Sequence, residues 1–183
     1  MRILNYKKIF ILLLILSFLS LNSEISYAKS SDKKETSKME VMDEEDEEEN
    51  FEDRVKMSLG RMGSTNYSNV EQAIFFFETM GEDAVPYLIE KLEKEKENKR
   101  VVNNVIYTIG RLGKNAKRSV PSLLNFLKNS DSDIRGVTVV ALGKIGQDAK
   151  SAIPALILLL KDRDSWVQSK ASEALKKIDG KIK

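Results

Sequence analysis

The chain has 183 residues, with 30 Lys and Arg against 28 Asp and Glu, and neither His nor Cys. Lacking both, it has no imidazole general base, no Cys/His metal ligand set and no thiol nucleophile. That argues against Ser-His-Asp hydrolysis, zinc sites and cysteine catalysis, and it excludes a disulfide framework.

The N-terminus reads as a secretory signal peptide over residues 1–28. Arg2, Lys7 and Lys8 form a positive start, and Ile9 to Leu21 is an apolar run broken only by serines. Ser26-Tyr27-Ala28 then places small residues where a signal peptidase needs them. The apolar run holds 13 residues, short of the roughly 20 needed to span a bilayer. Cleavage after Ala28 is expected, leaving no stable membrane insertion and an exported product, periplasmic or extracellular.

Residues 29–50 read as an acidic, disordered linker. Residues 29–53 carry four Lys against twelve Asp and Glu, with "DEEDEEE" at 43–49. Dense like charge with few apolar groups cannot build a core. Residues 54–183 carry 23 Lys and Arg against 15 Asp and Glu, so an acidic arm precedes a basic body.

The body, 51–183, repeats itself. "AVPYLIEKL" at 84–92, "SVPSLLNFL" at 119–127 and "AIPALILLL" at 152–160 contain all three prolines. Gly81, Gly113, Gly146 and Gly180 mark the same period of 32 to 34 residues, and Asn98, Asp131 and Asp164 recur every 33. Asn and Asp suit helix N-caps. Glycine suits a helix end in a left-handed conformation, and proline suits a first helical turn. Each unit is therefore a helix, a glycine turn and a second helix. A leading helix is expected over 51–63 and a Ser/Asn-rich loop over 64–68. Pairs are expected at 69–80 with 83–96, 98–112 with 116–129, and 131–145 with 149–162, and a closing helix at 164–178.

The second helices carry apolar stripes at i, i+3, i+4, i+7. These are Val85, Leu88, Ile89, Leu92; Val120, Leu123, Leu124, Leu127; and Ile153, Leu156, Ile157, Leu160. Ile134, Val137, Ala141, Leu142 and Ile145 line one first helix, and Val167, Ala171, Ala174, Leu175 and Ile178 line the last. Gly110 and Gly143 recur inside first helices, where they would admit close helix approach. In "IFFF", Ile74 and Phe77 are expected in the core, with Phe75 or Phe76 against the leading helix. Ser169, Ser172, Glu173, Lys176 and Lys177 give the closing helix the polar outer face of a cap.

"DSDIRGVTVVALGKIGQDAKSAIPALILLLKDRDSWVQSKASEAL" resembles the bacterial HEAT-repeat family, in its short form similar to the repeats of phycobilisome lyases. The residues that carry the resemblance are Asp131-Ser-Asp-Ile-Arg135, Ala-Leu-Gly-Lys-Ile-Gly at 141–146 and Ala-Ile-Pro-Ala-Leu at 152–156. It covers 69–180, and 51–63 more loosely. Gln168 and Val102 stand where the repeat usually has Arg. The resemblance implies an all-α fold, a right-handed α-solenoid of stacked antiparallel helix pairs, with the second helices lining a concave face.

Opposite each second-helix stripe lie the residues one, four, five and eight after proline. Among them, Tyr87, Asn125, Phe126, Leu158 and Leu159 are the expected partner-binding residues. No catalytic, cofactor-binding or metal residue is expected. The expected function is a non-enzymatic scaffold for another protein, not nucleic acid. Two alternatives remain: an accessory or lyase-like role on a cofactor-bearing partner, and a nucleic-acid binder using Lys114, Lys117, Arg118 and Lys150.

Overall fold

The computed structural model describes residues 44–180, with side chains from Asn50 onward. The expected signal peptide and residues 29–43 of the expected linker lie outside the described residues. Within them the chain is an all-α solenoid, with no strand.

The first helix, α1 (Glu44–Arg61), begins within the acidic run rather than at Phe51. Carboxylates are favoured at the positive end of a helix dipole, so charge that disfavours a compact core still suits a first turn. Three helix pairs follow, each joined by a 3-10 segment: α2 (Tyr67–Met80) with α3 (Val85–Lys94), α4 (Lys99–Leu112) with α5 (Val120–Phe126), and α6 (Ser132–Ile145) with α7 (Ile153–Leu159). Helix α8 (Ser165–Asp179) closes the stack. The first helices α2, α4, α6 and α8 form one layer, in which α6 packs along both α4 and α8. The second helices α3, α5 and α7 form the other. Each of α3 and α5 packs on the 3-10 segment that leads into the next second helix.

The N-caps sit at the expected register. Asp131 Oδ1 accepts from the N–H of Asp133 at 2.8 Å, and Asp164 Oδ1 from that of Trp166 at 2.9 Å. Asn98 Oδ1 accepts from Val101 N–H at 3.4 Å. Asn66 caps α2 in the same way, so the helix starts inside the stretch expected to be loop.

The second helices are shorter than their patterning suggests. Over 116–129 and 149–162, only Val120–Phe126 and Ile153–Leu159 are α-helical, and the lead-ins are 3-10 segments at Gly113–Ser119 and Gly146–Ala152. Proline has no N–H to continue an i to i−4 ladder from upstream, so the α-helix starts beside it. The glycine turns also differ from expectation. All four have positive φ, but only Gly180 is left-handed helical, at φ 64 and ψ −8. Gly81, Gly113 and Gly146 take ψ of −125, −129 and −138, because the chain bends straight into a 3-10 segment there.

Close approach within the first-helix layer runs through glycine. A Cβ at Gly110 would lie 3.1 Å from Ala141 Cα, and one at Gly143 would lie 3.1 Å from Ala174 Cα. Gly136 is tighter, because its Cβ would fall 1.7 Å from the Trp166 ring. Trp166 therefore packs on α6 while staying partly exposed.

Candidate functional site

The second-helix layer carries the candidate site, and the repeat makes its three members comparable position by position. Two residues after proline, Leu88, Leu123 and Leu156 are all fully buried. Six after proline the series breaks: Leu92 and Leu127 are 0% and 3% exposed, but Leu160 is 40% exposed. Three after proline, Ile89 and Leu124 are half-buried against the core, while Ile157 is 50% exposed. These positions lie on the flank turned toward the next unit. Helix α7 has no next second helix among the described residues, so its flank is open. Leu158, four after proline, is exposed like Glu90 and Asn125 before it, and is apolar where they are polar.

The structure therefore redistributes the expected partner residues. Among the described residues Leu158 is the most exposed large apolar side chain at 76%, and Asn125 is exposed too. Phe126 is not exposed, contrary to expectation. It is buried in the core, because it stands three residues after the core residue Leu123 and so beside it on the helix surface. Leu159, at the same position, is half-buried and packs on the core. Tyr87 is half-buried as well, and its hydroxyl donates to Glu52 Oε1 of α1 at 3.4 Å. So α1 borders Tyr87, and Phe76 meets the same helix through Phe51 and the Arg54 guanidinium. Ile157 and Leu160, assigned to the core by their stripe, are instead part of the open face. Their exposure could have been read from α8, whose outer residues Ser169, Ser172 and Lys176 end the stack.

A buried ion pair holds α7 in place. Arg135 donates to both carboxylate oxygens of Asp162, at 2.8 and 2.7 Å, and to the carbonyls of Asn129 and Ser130. The two side chains are each 6% exposed. One guanidinium on α6 thus ties together the turn after α5 and the turn after α7. The hydrogen bonds from Arg135 hold the Asp162 carboxyl below its usual range. One unit later Gln168 replaces this arginine and donates to the Asp162 carbonyl at 2.6 Å, keeping the backbone bond but not the ion pair.

Ion pairs recur elsewhere on the surface. Lys99 bridges Asp131 at 2.7 Å and Asp133 at 2.8 Å, and its hydrogen bond lowers the Asp131 pKa. The groove they line with Arg163 thus has its charges matched. In the basic row at the glycine turns, Arg118 pairs with Glu82. No cluster of metal-ligating side chains occurs among the described residues, and no described helix is long and apolar enough to cross a membrane.

Residues 120–182 match the family model for HEAT repeats. That stretch runs from α5 through α8. Among solved structures, the crystal structure of an engineered protein is similar at 23% identity, covering 76% of this chain and 59% of its own, with a TM-score of 0.42. The chain thus spans less than two thirds of the length of that protein. No curated protein matches the sequence.

Proposed function

We propose that the protein is an exported, non-enzymatic scaffold that binds another protein through its second-helix layer, centred on the open flank of α7. The observation that carries this reading is the contiguous exposure of Ile157, Leu158 and Leu160 at 50%, 76% and 40%. A soluble chain rarely leaves adjacent large aliphatic side chains in water unless they meet something. The absence of His and Cys from the sequence supports a binding role over catalysis, and HEAT-like repeats serve protein contacts through such layers. Export rests on the signal-like residues 1–28.

The test is capture from an envelope fraction with the mature chain, beside a variant carrying Ile157→Asp and Leu158→Asp. Loss of specific capture at unchanged thermal stability supports the reading. Identical capture by both proteins removes α7 from the site.

A further inference from the structure

The occupant of the α7 flank can be specified further, on the basis of the scaffold reading above. Within the chain, the flank that α7 leaves open is covered in α3 and α5 by the following unit, a 3-10 segment leading into a second helix. Leu92 and Leu127 are sealed there, and their counterpart Leu160 is not. The flank therefore takes a short helical segment laid across it, as its equivalents take a 3-10 segment. Beside it, α8 presents Ser169, Ser172 and Lys176 outward, all exposed. In α6 the equivalent positions are Gly136, Val139 and Gly143, all buried, with both glycines in contact with α8. A further first helix has nothing apolar to stack on, so the occupant is one helix, not another full repeat.

Charge identifies its chemistry. Three carboxylates at this end are already engaged: Asp162 with Arg135, Glu173 with Lys170, and Asp164 in capping α8. Lys161 directly follows Leu160, Lys128 holds the same repeat position in the turn after α5, and Lys176 stands on the outer face of α8. All three are exposed, and none makes an ion pair among the described residues. We infer that the α7 flank binds an acidic amphipathic helix of a partner protein, its apolar stripe on Ile157 and Leu160 with Leu158 at the rim, and its carboxylates toward Lys161 and Lys176. A symmetric pairing of two copies through α7 would instead bring these lysines of one copy toward those of the other, which like-charge repulsion disfavours.

The probe is a side-chain-stapled peptide of residues 113–129, which begins with the 3-10 segment packed on α3 within this chain and runs on through α5. It is made in its native basic form and in an acidic form carrying Lys114→Glu, Lys117→Glu, Arg118→Glu and Lys128→Glu. Circular dichroism verifies that both are helical, and fluorescence anisotropy reads their binding to the full chain. The acidic form should bind roughly tenfold tighter at low salt, an advantage that shrinks as salt shortens the screening length. Ile157→Asp with Leu158→Asp should abolish binding, and Lys161→Glu with Lys176→Glu should reverse the preference. Equal binding of both forms, lost in the α7 variant, would overturn the acidic occupant and leave the scaffold reading standing. Binding by neither form, or binding indifferent to the α7 substitutions, would overturn both. A sedimenting dimer dispersed by Ile157→Asp would assign the flank to a second copy.

Discussion

Helices α5 and α7 are written in nearly the same pattern, 33 residues apart, and meet different surroundings. Six residues after proline, Leu127 is 3% exposed and Leu160 is 40%. Three after proline, Leu124 is half-buried and Ile157 half in water. Burial is thus not a property of a position in the repeat. It belongs to the pair formed by that position and the neighbour on its flank, as expected when each unit buries its apolar face only against the next. The contrast with α8 adds a second lesson. At the same end of the stack, α8 turns Ser and Lys outward while α7 turns Ile and Leu outward, so one helix closes the solenoid and the other leaves it open.

Matched substitutions would break this comparison most sharply. Leu127→Asp, or Phe126→Asp, forces a carboxylate into the core and should lower unfolding free energy by about 4 kcal/mol. Leu160→Asp, at the position equivalent to Leu127, should cost about 1 kcal/mol or less, because it is already partly hydrated. Chemical denaturation of the three variants measures the difference. Equal losses at Leu127 and Leu160 would mean that α7 is covered after all.

Next in size is Asp162→Asn. It leaves the buried Arg135 guanidinium without its counter-charge, and cleaving one side of such a pair costs about 3 kcal/mol. The pH dependence has a definite sign. Because the folded Asp162 carboxyl lies below its usual value, it stabilises the fold fully above the unfolded carboxylate range. That contribution falls away as pH drops through the lower folded value. Thermal unfolding followed from neutral to strongly acidic pH should show this loss in the native protein, and a correspondingly smaller one in Asp162→Asn.

Gly136→Ala should cost about 2 kcal/mol, because the new methyl displaces the Trp166 ring and overpacking is only partly relieved. Trp166 is the only tryptophan in the sequence, so its emission should shift red as it leaves α6. Adding Trp166→Ala should recover part of the loss, in a double-mutant cycle. The smallest effect belongs to Leu158→Asp, which should change stability by less than about 0.5 kcal/mol. Its consequence should appear in partner binding alone.

Much of the architecture was legible before any coordinates. Asn98, Asp131 and Asp164 locate helix starts because a capping side chain acts within its own turn. The glycines mark helix ends because positive φ is a local constraint. The apolar stripes follow from helical geometry alone. The site was less legible. Helical spacing puts both Phe126 and Leu158 on the face away from the core, and only Leu158 is strongly exposed. Helical spacing gives the angle of a side chain around its own axis but not which flank a neighbouring helix covers. The exposure of α7 escapes the pattern for the same reason: Ile157 and Leu160 match the stripes of α3 and α5, and the stripe says nothing of what lies beyond it.

The sequence by itself determined the repeat period, the helix–turn–helix unit, the capping chemistry and the polar outer face of α8, all set by interactions within a few residues of each other. Only the tertiary structure decided that Arg135 would bind the Asp162 side chain 27 residues away. It also decided that Phe126 would be buried, and that Ile157, Leu158 and Leu160 would stand in water. Those outcomes depend on which elements stack on which flank, a property of the assembled layers that no single unit encodes.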